Sequence, residues 1–213
     1  MKRIAVLLCV LWCLAVSAAA QRLPGNVVPE HYDLTFTPDL PRATFAGEAV
    51  IKVRVLSPTD RITLHALEIE FTDVTVRQGK SSHKAKVTLD AKSETATFHL
   101  PAKLAAGPAQ IHIRYNGILN SQLRGFYLSK GKSRNYAGSQ MEATDARRAF
   151  PSFDEPALKA SFAIRMIVDQ GDTAISNGRI VSDTPGPGAG KHTLKFSRTP
   201  KMSAYLVALA VGD

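Results

Sequence analysis

The stretch IKVRV, residues 51–55, decides the fold class of this chain. Ile51, Val53 and Val55 alternate with Lys52 and Arg54, so apolar and basic side chains fall on opposite faces of an extended strand. The same period of two recurs in these apolar sets: Tyr32, Leu34 and Phe36; Ile62, Leu64 and Ala66; Ile69 and Phe71; Val74 and Val76; Val87 and Leu89; Phe98 and Leu100; Ile111, Ile113 and Tyr115; Phe162, Ile164, Met166 and Val168; Leu194 and Phe196. The pattern predicts an all-β fold.

Residues that favour turns occur between or at the ends of these runs and predict turns there: SPTD at 57–60, AGP at 106–108, and NG at 116–117 and again at 177–178. Short strands at a spacing of roughly 8–12 residues are typical of antiparallel sandwiches, so we expect a sandwich or saddle of antiparallel sheets. The tract TPGPGAG, residues 184–190, indicates a hairpin tip or a short linker. Residues 204–211 are apolar throughout and predict a strand that is buried on both faces.

The first twenty residues have the composition of a secretory signal peptide. Lys2 and Arg3 precede an apolar run over residues 4–16, and the small residues 17–20 form an A-x-A-like cleavage site before Gln21. An uncleaved membrane anchor is the alternative, but the apolar run is shorter than the roughly 20 residues that span a bilayer. We therefore expect a signal peptide at 1–20, one β domain at 21–213, and a protein exported to the periplasm or secreted.

Cysteine content and charge exclude several classes of function. Both cysteines, Cys9 and Cys13, lie in the leader, so residues 21–213 carry no disulfide, thiol nucleophile or cysteine metal ligand. Removal of the leader with Lys2 and Arg3 lowers the formal net charge by two, from +9 to +7. The remaining basic residues are scattered along strands and loops without interleaved aromatics, which argues against nucleic-acid binding. No other stretch is long and apolar enough to predict a membrane span.

The chain contains no recognisable catalytic motif. Its six histidines are spread singly, and no H-E-x-x-H zinc-binding helix, G-x-S-x-G elbow or phosphate-binding glycine loop is present. His65, His99 and His112 fall on the polar faces of strands, where we expect solvated imidazoles. We therefore predict no catalytic residue and no metal ligand in this chain, and no enzymatic activity of the chain alone.

One segment departs from the strand pattern: QMEATDARRAFPSFDEP, residues 140–156. Phe150 and Phe153 are suited to packing against the sheet, while Pro151 and Pro156 restrict φ. Its charged residues are able to pair with one another, and we expect the following set to form the scaffold of the loop: Asp145, Arg147, Arg148, Phe150, Phe153, Asp154 and Glu155.

Gln140 and Glu142 precede this scaffold and lie on the same side of an extended segment. A carboxylate and an amide held together are suited to binding a small cation such as an α-ammonium group. The alternative is that Glu142 pairs with Arg147 or Arg148 and is part of the scaffold. The residues alone leave both readings open.

Three blocks of sequence resemble the N-terminal domain of the aminopeptidase N family, the zinc metallopeptidases of the H-E-x-x-H class. They are RLPGNVVPEHYDLTFTPDL at 22–40 with F-x-G-E at 45–48, GFY at 125–127 with the 140–156 block, and KFSRTPKMSAYLVALAVGD at 195–213. The resemblance covers nearly all of residues 21–213. Where the family often has cysteine, this chain has Ser152.

The resemblance implies a role for each residue of the pair. Glu142 binds the free α-amine of a peptide, Gln140 lines the first specificity pocket, and the Glu142–Ala143 peptide bond is cis. Full-length members hold zinc in a later catalytic domain joined in cis. We therefore expect the substrate-recognition domain of an exported zinc aminopeptidase, truncated before its catalytic domain. The alternative is a stand-alone secreted β-sandwich module that binds proteins or peptides; in-frame downstream DNA encoding H-E-x-x-H distinguishes the two.

Overall fold

The computed structural model describes residues 22–213, and the predicted signal peptide lies outside this range. The elements are almost all strands, which confirms the all-β class. In chain order they are β1 Val27–Asp39, β2 Thr44–Val55, β3 Thr59–His65, β4 Ile69–Gln78, β5 Ser81–Lys84, β6 Lys86–Asp90, β7 Thr95–Leu104, β8 Gly107–Ile118, β9 Gly125–Lys130, β10 Asn135–Gln140, β11 Ser161–Asp169, β12 Thr173–Ser176, β13 Ile180–Pro185, β14 Lys191–Phe196 and β15 Leu209–Gly212. Within this range, two single-turn 3₁₀ helices cover Ala146–Arg148 and Ala204–Leu206.

The strands of residues 22–213 form three sheets. The largest has eight strands in the order β13-β14-β11-β1-β2-β8-β4-β5, the second has the order β12-β15-β10-β9, and the third has the order β3-β7-β6. Most neighbours are antiparallel, but β1 and β11 pair in parallel, with Leu34 opposite Ile164. The expectation of wholly antiparallel sheets is therefore wrong at this pair. Parallel pairing needs a long connection, and here strands β2 to β10 and the 140–156 loop come between β1 and β11 in the chain.

Aromatic side chains join the three sheets around one core. Phe36 of the eight-stranded sheet meets Phe126 of the second sheet with ring centroids 5.9 Å apart, and Phe71 of β4 meets Phe98 of the third sheet at 5.5 Å. Both pairs have the edge-to-face geometry that aromatic rings prefer. The alternating apolar residues predicted from the sequence lie in or against this core. Leu89 on β6 is the exception, since its side chain is 63% exposed.

The C-terminal apolar run does not form one strand. Residues 204–206 make a 3₁₀ turn, and only Leu209–Gly212 extend as β15. Burial alternates along the run, with Val207 and Leu209 buried and Leu206 exposed. The prediction of a strand buried on both faces is therefore wrong, because β15 covers the core with only one face. The 184–190 tract is confirmed as a hairpin tip, since β13 and β14 pair antiparallel on either side of it.

Candidate functional site

The 140–156 segment connects β10 of the second sheet to β11 of the eight-stranded sheet. Gln140 is the last residue of β10 and lies opposite Gly125 of β9. The chain then turns: the Asp145 amide donates to the Met141 carbonyl at 3.0 Å, and the Glu142 amide donates to Oε1 of Gln140 at 3.2 Å. The Glu142–Ala143 peptide bond is cis, as the resemblance implied. Residues 141–145, which carry Glu142 at an exposed position, are called the Glu142 turn below.

Gln140 and Glu142 are both exposed, whereas Met141 between them is buried. Within residues 22–213, Glu142 makes no ion pair with an arginine, lysine or histidine. The two arginines proposed as its alternative partners are engaged elsewhere. The structure therefore does not place Glu142 in the charge network of the scaffold.

Arg147 is held by two carboxylates. Its Nε donates to Oδ2 of Asp154 at 3.0 Å, and its Nη1 donates to Oε2 of Glu94 at 2.8 Å. The Asp154 side chain is 2% exposed, and burial raises its pKa, although the bonds from Arg147 act in the opposite direction. This network joins the end of the loop to the turn between β6 and β7.

Arg148 is held in the same way by a different pair. Its Nε donates to Oδ1 of Asp145 at 2.8 Å, and its Nη1 lies 2.7 Å from Oε2 of Glu68, on the connection between β3 and β4. Burial lowers the pKa of Arg148, but the bonds to the two carboxylates outweigh this effect and raise the pKa above its ordinary value. Sequence analysis missed Glu68 and Glu94, because neither lies near the loop in sequence and no motif marks them.

The two phenylalanines of the loop are buried in the core. Phe150 contacts the rings of Tyr32, Phe36 and Phe162 at centroid distances of 6.0, 6.3 and 6.2 Å. The Phe153 amide donates to the Tyr32 hydroxyl at 3.0 Å, and burial raises the pKa of that hydroxyl well above its usual range. These contacts fix the second half of the loop on the inner face of the eight-stranded sheet.

Glu155 does not join the arginine networks; its Oε1 accepts a hydrogen bond from the Leu23 amide at 2.6 Å. It also lines a cleft of about 710 Å³, together with Arg147, Asp154 and Thr144 of the loop and Glu94. Neither Gln140 nor Glu142 is among the residues that line this cleft. The cleft and the exposed pair are therefore separate features of the same loop.

The predicted environment of the strand histidines is correct only in part. His99 and His112 are half-buried and bond to Thr88 at 2.8 Å and to Glu48 at 2.6 Å. His65 is 2% exposed, so the expectation of a solvated imidazole is wrong there. The reason is tertiary: the backbone of His65 exchanges hydrogen bonds with Ser152 of the loop, which covers the end of β3.

The resemblance implies a zinc ion in full-length members, and residues 22–213 do not provide a binding site for it. Across residues 22–213, no three or more His, Cys, Asp or Glu side chains are grouped so as to hold a metal ion. In the same part of the chain, no helix has the length and apolar character needed to cross a membrane.

Comparison with known proteins gives the family. The family model for the peptidase M1 N-terminal domain matches residues 28–206, and the chain belongs to this family. It is 42% identical over 196 residues to Aminopeptidase 2 of Candida albicans, a match that covers 90% of this chain and 21% of that protein. It is 36% identical over 200 residues to the Puromycin-sensitive aminopeptidase of Caenorhabditis elegans, covering 91% of this chain and 21% of that protein.

A bacterial relative gives the same assignment. The chain is 34% identical over 200 residues to Aminopeptidase N of Acetobacter pasteurianus, covering 92% of this chain and 55% of that protein. In the two eukaryotic relatives the matched region is about a fifth of the whole protein. The relatives are therefore longer aminopeptidases in which this domain is one part.

Proposed function

We propose that this domain recognises the free N-terminal amine of peptide substrates for a zinc aminopeptidase, with the catalytic domain joined to it in cis. Glu142 accepts the α-ammonium group, and Gln140 lines the pocket for the first side chain. The observation that carries this proposal is the way in which the charged side chains of the loop are paired. Glu142 is an exposed carboxylate with no ion-pair partner in residues 22–213, whereas both arginines of its loop are each held by two other carboxylates.

The chemistry of an ammonium group suits this arrangement. A charge-assisted hydrogen bond from –NH₃⁺ to a carboxylate is roughly twice as strong as a bond between neutral groups. An acetylated or internal peptide has no such charge and leaves the carboxylate unpaired. A fixed Glu142 therefore gives preference for free N-termini, the property that defines an aminopeptidase.

Gln140 helps to hold the start of the Glu142 turn in position. Its Oε1 accepts the backbone N–H of Glu142 at 3.2 Å, which ties the amide side chain to the start of the Glu142 turn. The two side chains are thereby kept together at the end of β10. A ligand whose amine contacts Glu142 presents its first side chain next to Gln140.

A titration of the chain with two matched ligands tests the proposal. L-alaninamide carries a free amine, and N-acetyl-L-alaninamide does not. We expect the amide resonances of residues 140–145 to shift with alaninamide only, and the Glu142→Gln variant to lose this response. The control is Glu70→Gln, which removes an exposed carboxylate of β4 and keeps the response. Equal responses to both ligands, or an unchanged response in Glu142→Gln, would contradict the proposal and favour a general binding module.

We also propose that the domain is exported. Support comes from the sequence of residues 1–20, with its basic start, apolar run and small residues before Gln21. The test is the N-terminal sequence of the protein after expression in a bacterial host. We expect the mature chain to begin at Gln21 and to be found outside the cytoplasm; a cytoplasmic protein that keeps residues 1–20 would contradict export.

A further inference from the structure

Glu68 lies outside the loop but is connected to the Glu142 turn by a short series of contacts. Its Oε2 is 2.7 Å from Nη1 of Arg148. The same guanidinium donates from Nε to Oδ1 of Asp145 at 2.8 Å. Asp145 then closes the Glu142 turn, because its amide donates to the carbonyl of Met141 at 3.0 Å. One planar guanidinium therefore fixes the position of Asp145 relative to the β3–β4 connection.

The stem of Arg148 also lies against the strand that faces Gln140. A Cβ placed on Gly125 would be 2.6 Å from Cβ of Arg148, so the two residues are in close contact. Gly125 is the register partner of Gln140. Arg148 is thus next to both parts of the proposed recognition pair: the strand end that carries Gln140 and the turn that carries Glu142.

Glu94 provides an internal comparison. It is also a glutamate with positive φ (54°, against 58° for Glu68), and its side chain is 36% exposed, against 37% for Glu68. It bonds to the neighbouring arginine, Arg147, whose other carboxylate is Asp154. That network ends at the far side of the loop and includes no residue of the Glu142 turn.

We infer that Glu68 is a positioning residue for amine recognition: through Arg148 and Asp145 it fixes the Glu142 turn, whereas Glu94 anchors only the far end of the loop. The inference rests on the proposed function of Glu142. Neutralising Glu68 removes one of the two charged partners of Arg148. Because the Arg148 side chain is only 11% exposed, water replaces this partner poorly. The remaining bond to Asp145 then holds the turn less firmly.

The test compares Glu68→Gln with Glu94→Gln in the same chain, because each substitution removes one charge and preserves shape. Hydrogen exchange at the Asp145 amide reports closure of the Glu142 turn. We expect this exchange to be about tenfold faster in Glu68→Gln than in Glu94→Gln, a factor within the range of coupling between residues of one network. The alaninamide response of residues 140–145 weakens in Glu68→Gln by a similar factor and is retained in Glu94→Gln.

Arg148→Lys is a second test of the same path. Lysine keeps the charge but lacks the planar guanidinium that contacts Glu68 and Asp145 together. We therefore expect Arg148→Lys to speed hydrogen exchange at the Asp145 amide as Glu68→Gln does. Equal effects of Glu68→Gln and Glu94→Gln, or faster exchange throughout the core strands, would overturn the inference. If Glu142→Gln leaves amine binding unchanged, the proposed function fails, whereas the exchange at Asp145 still reports separately on the contacts of Glu68.

Discussion

Arg147 donates from Nε to Oδ2 of Asp154 across 3.0 Å, and both side chains are almost fully withdrawn from water, at 10% and 2% exposed. A buried ion pair of this kind is sensitive to loss of one partner, because the other charge is left without compensation in a medium of low polarity. The pair holds residues 147 and 154 of the loop together, and the bond from Arg147 to Glu94 joins them to the third sheet.

Replacing Arg147 with methionine should destabilise the fold. The buried Asp154 carboxylate then lacks its cation, and we expect a loss of about 3–5 kcal/mol in the free energy of unfolding. The control is Arg42→Met, which breaks the pair with Asp39, in which the Arg42 side chain is 82% exposed; that loss should be about 0–1 kcal/mol. Urea denaturation of the two variants checks this, and equal losses would contradict it.

Replacing Ser152 with alanine should stabilise the protein. Its Oγ is buried and has no hydrogen-bond partner within residues 22–213. Removing such a hydroxyl relieves a desolvation cost, so we expect a gain of about 1 kcal/mol. Ser161→Ala is the matched control with the opposite sign, because Oγ of Ser161 accepts hydrogen bonds from Arg198 at 2.7 and 3.0 Å. Thermal unfolding of both variants provides the measurement.

Adding a methyl group at Gly47 should disturb the core beside the loop. A Cβ there would lie 2.1 Å from Cζ of Tyr115, whose ring is buried and whose hydroxyl donates to the Ala149 carbonyl at 3.0 Å. We expect Gly47→Ala to cost about 1–3 kcal/mol or more. Gly25→Ala, at a position with nothing within 4 Å of the new Cβ, should be close to neutral. A stable Gly47→Ala variant would mean that the ring relocates.

His192 should contribute to stability in a pH-dependent manner. Its Nδ1 lies 2.7 Å from Oδ1 of Asp183, and this bond raises the pKa of the imidazole above its ordinary value of 6.5. Since the pKa is higher in the folded than in the unfolded chain, the contribution is complete below pH 6.5 and is lost as the pH rises through the folded value. NMR titration of His192 should show the raised pKa, and Asp183→Asn should lower it.

The polypeptide itself should hydrolyse no aminoacyl substrate and retain no zinc after dialysis. The reason is that its sequence contains no H-E-x-x-H motif and no cysteine after Cys13. Release of aminocoumarin from amino-acid conjugates and the metal content of the dialysed protein are the measurements. Stoichiometric zinc, or turnover that a chelator abolishes, would show that the expectation is wrong.

The sequence by itself determined the fold class and most of the core, because a strand that covers a core with one face must alternate apolar and polar residues. It also marked the 140–156 loop through its charge density, and the resemblance carried by that block led to the family and to Gln140 and Glu142 as candidates. These features are local: each is encoded by residues adjacent or nearly adjacent in the chain.

Only the tertiary structure decided which distant residues meet. The parallel pairing of β1 with β11, the burial of His65 under Ser152, and the partners Glu68 and Glu94 of the two loop arginines all join segments far apart in sequence. A local pattern specifies which face of a strand is buried, but it does not specify which segment covers that face. The single-sided burial of β15 was missed for the same reason, since its neighbours come from β10 and β12.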